Sequence, residues 1–143
     1  MKTMVKAREQ AMKRLYGLLE LQKDLEQRFD PNQYNIFVFG SYITVNYIEG
    51  VSDIDVAVYT EDFDLYKKIS LYIEEYFEKR QIKSDIFYID INMAAPVYTA
   101  PLNSKVQLTG FYPPCLEEFR RACQKVLDQT TDSKEVRGCF FLY

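Results

Sequence analysis

A chain of 143 residues that is 48% hydrophobic and 27% charged is long enough for one domain with a real core and short for two, and its sparse glycine and proline argue against a linker-rich or disordered assembly. A net charge of −3 and an isoelectric point near 5.1 lack the basic footprint of a protein that grips duplex DNA through many phosphates, so nucleic acid is disfavoured as a partner. With no histidine in the chain, mechanisms that need a histidine base are excluded, and Cys115, Cys123 and Cys139 read as reduced thiols with no histidine to complete a zinc site.

Met4 to about Phe29 repeats apolar residues at Met4, Ala11, Met12, Leu15, Leu18, Leu19, Leu25 and Phe29 with charges between them, which predicts an amphipathic helix stopped by Asp30-Pro31-Asn32. Lys2, Lys6, Arg8, Lys13 and Arg14 read as its solvated face. Tyr34 to Phe39 follows as a short strand of nearly continuous apolar character, predicted to be buried on both faces. Gly40 ends it, residues 41 to 50 hold a short helix and a turn, and a second strand runs from Asp53 to Tyr59. Asp62-Phe63-Asp64 resembles a helix start, and Leu65, Ile69, Tyr72, Ile73, Tyr76 and Phe77 mark the apolar stripe of a helix ending near Lys79-Arg80. Tyr66, Tyr72 and Tyr76 are expected to pack that helix against the sheet. Ile82 to Ile91 alternates as a third strand, with Asp85, Phe87 and Ile89 on one face and Ile86, Tyr88 and Asp90 on the other.

Beyond Pro96 and Pro101, Lys105 to Leu108 predicts a further short strand and Pro113-Pro114 introduces a helix from Leu116 to Asp128, with Arg120-Arg121 on a solvated face. The terminal run Cys139-Phe140-Phe141-Leu142-Tyr143 is apolar enough to dock on the body or a partner. None of these segments reaches the roughly 20 apolar residues of a membrane helix, and the N-terminus carries no signal-type segment, so the expected location is cytoplasmic, with no membrane partner. Twelve tyrosines and ten phenylalanines, without tryptophan, suggest a ring-rich core and apolar surface that a homodimer could cover.

The chemistry gathers after the first strand. If Asp53 to Tyr59 is a strand, Asp53 and Asp55 share a face with Cα atoms roughly 6.5 to 7 Å apart, and two carboxylates so placed can share divalent cations. Magnesium takes oxygen ligands and completes its shell with water and substrate phosphate, and paired ions about 3.5 to 4 Å apart can clamp an attacking and a leaving oxygen. Gly40, lacking Cβ, lets backbone amides approach an anion, and Ser41 opens a short helix facing the same phosphate. Each residue also has a plain structural role: Gly40 ending a strand with positive φ, Ser41 capping a helix, Asp53, Asp55 and Asp85 opening strands at the surface.

Phe39-Gly40-Ser41, an eleven-residue gap, Asp53-Ile54-Asp55-Val56 and a later strand bearing Asp85 together resemble the DNA polymerase beta-like nucleotidyltransferase superfamily, in particular its minimal nucleotidyltransferases. The resemblance covers about residues 34 to 91 of a single domain spanning 1–143. It implies an α/β (α+β) fold, a small mixed sheet backed by helices in the order α-β-(short α)-β-α-β with a C-terminal helix. It also implies magnesium-dependent transfer of a nucleoside monophosphate from a nucleoside triphosphate, usually AMP from ATP, to a hydroxyl of a protein or small molecule, with release of pyrophosphate. Carried over residue by residue, Gly40 and Ser41 would hold the triphosphate, Asp53 and Asp55 would coordinate two magnesium ions, and Asp85 would be the third acid. Asp90 lies on the same predicted strand with the opposite facing. The family includes antitoxins that modify a helical partner, which implies a protein acceptor. Active members commonly place an arginine and small residues shortly after the serine, where this chain reads Tyr42-Ile43-Thr44-Val45-Asn46, with Lys67, Lys68 and Lys105 as the remaining basic candidates. The alternative is the same fold kept without catalysis, as a nucleotide-binding or partner-binding subunit.

Overall fold

A computed structural model describes residues 2–137, with side chains over 4–130; the terminal run from Cys139 to Tyr143 lies outside the described residues. Among the described residues, four α-helices and four strands follow one another as α1 (Lys2–Arg28), β1 (Tyr34–Phe39), β2 (Ile54–Thr60), α2 (Phe63–Glu78), β3 (Ser84–Tyr88), α3 (Thr99–Leu102), β4 (Val106–Gln107) and α4 (Pro114–Arg137), with a 3-10 turn at Gly40–Ile43. The sheet order is β3-β2-β1-β4. β1 runs antiparallel to both β2 and β4, whereas β2 and β3 are parallel, so α2 is the crossover between them. This is the mixed sheet backed by helices that the sequence implies.

The end of α1 and the start of α2 each have a local cause. The Asp30 side chain accepts from Asn32 N at 3.0 Å just beyond α1. The Asp62 carboxylate caps α2 by accepting from Asp64 N and Leu65 N at 3.0 and 3.4 Å. The apolar stripe of α1 differs in detail from its expected membership. Ala11, Leu18, Leu21 and Leu25 are buried, whereas Met4, Met12 and Leu19 are exposed, because only one narrow face of the helix meets the sheet.

The two inner strands separate two cores. Ile36, Val38, Ile54, Val56 and Val58 meet α1 and α2 with Leu18, Leu21, Leu25, Ile69, Ile73 and Phe77. Phe37, Ala57 and Tyr59 face the other way, toward Leu102, Leu116, Phe119 and Cys123. β1 is therefore buried on both faces, as its apolar run predicts. Tyr66, Tyr72 and Tyr76 do pack against the first core. The short β4 is pinned by buried Asn35, whose Nδ2 donates to Gln107 Oε1 at 3.0 Å and whose Oδ1 accepts from Thr109 N at 3.2 Å. Among the described residues no helix is long and apolar enough to cross a membrane.

Candidate active site

The C-terminal end of β1 and the N-terminal ends of β2 and β3 lie at one edge of the sheet, and Asp55 stands between its neighbours there. It pairs with Phe39 of β1 on one side and with Asp85 of β3 on the other. Strand alternation puts both carboxylates on the face that carries Phe39, Ala57 and Phe87. Phe39 and Phe87 meet edge to face at 5.9 Å, giving this end an aromatic floor.

Asp53 falls one residue before β2, not within it as the sequence suggests, and is half-buried like Asp55. Asp85 is exposed. Among the described residues, none of the three carboxylates takes a salt bridge or a side-chain hydrogen bond. Burial pushes the Asp55 carboxyl above its ordinary value, and the neighbouring charges of Asp85 and then Asp53 push it the same way. Asp55 thus feels the charge of both neighbouring acids. As the side chains stand, no three acidic, histidine or cysteine groups among the described residues converge closely enough to hold an ion. Hard carboxylate oxygens without a salt-bridge partner are the donor type that magnesium takes, but the side chains do not form a closed cage.

Gly40 adjoins this cluster. Its φ of +75° is in the left-handed region, and a Cβ placed there would run into Oδ2 of Asp55. Glycine therefore does two things at once: it turns the chain after β1 and leaves room for the Asp55 carboxylate. Gly40 and Ser41 then open a 3-10 turn closed by Thr44, whose N and Oγ1 donate to Ser41 O at 2.9 and 2.8 Å.

Asp90 stands apart. It lies two residues beyond the end of β3, at the far edge of the sheet from Asp85, where its Oδ1 accepts from Asn92 N and Nδ2 at 3.0 and 2.8 Å. The expected strand of residues 82 to 91 is thus shorter at both ends, and Asp90 serves a turn. Of the basic candidates, Lys67 is spent locally, 3.1 Å from Asp64 and over the Phe63 ring. An open cleft of about 480 Å³ beside the start of β3 is lined by Glu74, Glu78, Lys83 and Ser84 but by none of the three aspartates. It lies against α2, whereas the carboxylates point to the opposite face of the sheet.

Arg14 carries a role that its place in a charged helix conceals. Its Nε donates to Tyr42 O at 2.8 Å and its Nη2 to Thr44 O at 2.7 Å, so it grips the turn that follows Gly40-Ser41. Its sequence signal is weak, since the same side chain spacing fits a solvated helix face.

The sequence model of the nucleotidyltransferase domain family matches residues 18–105, a stretch that includes Gly40, Ser41 and all three aspartates. The chain belongs to the nucleotidyltransferase domain family. A chain from a crystal structure of a mutant of the toxin-antitoxin MntA-HpeT is similar at 17% identity, with a TM-score of 0.49, covering 82% of this chain and 91% of that one. No curated protein matches the sequence.

Proposed function

We propose that this nucleotidyltransferase transfers AMP from ATP, with magnesium, to a hydroxyl on a protein or small molecule. The observation that supports this most is the register of Asp55 with Asp85 on adjacent parallel strands, with Asp55 pressed against the Gly40 turn. Asp53 and Asp55 would hold magnesium with Asp85 as a third ligand, and the ions when bound would neutralise triphosphate charge. Gly40 and Ser41 seat the phosphates.

The acceptor oxygen attacks the α-phosphorus of ATP, a new phosphoester bond forms, and the bond from that phosphorus to the bridging oxygen breaks to release pyrophosphate. Asp85, exposed and without a hydrogen-bond partner, takes the acceptor's proton. A positioned base of this kind contributes roughly 10²- to 10⁴-fold. The remainder of the rate comes from positioning and charge neutralisation.

A second reading, a nucleotide-binding subunit without turnover, is favoured by one observation: residues 42 to 52 contain no basic side chain. Calorimetric titration of ATP with and without magnesium, on the wild type and on the Asp53→Asn, Asp55→Asn double variant, tests both. Magnesium-dependent binding that the double variant loses supports the site, and AMP incorporation into an acceptor then separates enzyme from binder. Absence of binding to the wild type under either condition would sink both readings.

A further inference from the structure

We infer that Arg14 is a positioning residue of the nucleotide site, holding the Gly40–Thr44 turn in shape from α1 in place of a basic residue within the turn; this rests on the nucleotidyltransferase reading. Besides the bonds of the 3-10 turn itself, Ser41 O takes both donors of Thr44. Two further carbonyls, those of Tyr42 and Thr44, receive Nε and Nη2 of Arg14 at 2.8 and 2.7 Å. One rigid guanidinium edge thus fixes two carbonyls two residues apart, which a lysine ammonium, a single point of charge on a flexible stem, cannot reproduce.

The guanidinium is itself held. Its central carbon lies 4.6 Å from the Tyr47 ring centre and 5.7 Å from that of Tyr42. Those rings meet edge to face at 5.1 Å, and Tyr42, buried, continues onto Phe77 of α2 at 6.0 Å. The turn is therefore tied through Arg14 to α1 and through Tyr42 to the first core. Arg14 lies outside the stretch that the family's sequence model matches, so this tie belongs to the N-terminal helix of this chain and not to the shared motif.

The test compares Arg14→Gln and Arg14→Lys with Lys13→Gln, an exposed neighbour that touches nothing in the turn. Amide hydrogen exchange of residues 40 to 47 is measured without nucleotide, alongside thermal unfolding and the Kd for magnesium–ATP. Arg14→Gln should speed exchange in the turn at least tenfold and weaken binding about tenfold or more, with helix signal and cooperative unfolding retained. Arg14→Lys should recover little of either, and Lys13→Gln should match the wild type. Unchanged exchange in Arg14→Gln, or full recovery by lysine, would overturn the inference. If the wild type itself fails to bind magnesium–ATP, the nucleotide reading falls, while the exchange data still decide whether Arg14 holds the turn.

Discussion

Gly40 is where backbone conformation and chemistry meet most closely. Its φ of +75° alone makes alanine unfavourable by about 1 kcal/mol or somewhat more. The added Cβ would also meet Oδ2 of Asp55, the free end of a side chain that can swing away. Gly40→Ala is therefore expected to lower stability modestly and to abolish magnesium-dependent ATP binding, because the carboxylate yields before the backbone does. Thermal unfolding and calorimetry on one sample decide this; a variant that unfolds a few degrees lower yet binds as before would refute it. At this scale the sequence is candid about some residues and silent about others. Gly40, Asp55 and Asp85 stand out in the sequence through their combination on successive strands, and the structure brings them to one end of the sheet. Arg14 does not stand out, since a hydrogen bond to carbonyls 28 and 30 residues away leaves no local pattern.

Among the elements, β1, α2 and α1 follow from periodicity to within two residues or so, whereas β3 and α4 do not. The pattern that predicts β3 over 82 to 91 sees alternation but not pairing, and β2 offers ladder partners only for Ser84 to Tyr88. α4 extends past Asp128 to Arg137, and periodicity misses that stretch because its polar sequence gives no apolar stripe to read. Its first turn holds a second surprise: Arg120 and Arg121 are not merely solvated. Glu117 accepts from Arg120 Nε and Nη2, both at 2.8 Å, from Arg121 Nε at 3.1 Å and from the Tyr112 hydroxyl at 3.1 Å. Arg120 also reaches Asn103 Oδ1 at 3.1 Å, so the cluster ties the start of α4 to the end of α3. These bonds, Arg120 foremost, hold the Glu117 carboxyl down at about 2 against an ordinary value of 4.5. A depressed carboxyl stabilises the fold above its unfolded value and loses that contribution as pH falls toward the folded one. Wild type should therefore lose thermal stability more steeply than Glu117→Gln between pH 4.5 and about 2. Parallel melting curves across that interval would contradict the tie.

At the scale of the whole molecule, each face of the sheet carries a core, and the acids gather at one end of the face toward α3 and α4. The face toward α1 and α2 is closed by aliphatic and aromatic side chains, while the carboxylate end of the other takes no salt bridge among the described residues. Asp55 behaves oppositely to Glu117: burial, then Asp85, then Asp53 raise its carboxyl value. A carboxyl raised in the fold favours the folded state when protonated, and that contribution disappears as pH climbs past the folded value, so at neutral pH the ionised cluster costs stability. Asp55→Asn removes one charge from a mutually repelling set at nearly constant volume. It should raise the melting temperature of the metal-free protein by a few degrees at neutral pH, and the gain should shrink as pH falls toward the ordinary carboxylate value of 3.8. Added magnesium should raise the melting temperature of the wild type, because binding to the folded state alone adds to stability, and should do so less for Asp55→Asn. The two responses together distinguish a functional acid cluster from surface carboxylates that happen to open strands, which would show neither. A variant less stable than wild type at neutral pH without metal would mean that Asp55 supports the fold, and the stability cost assigned to the cluster would then be wrong.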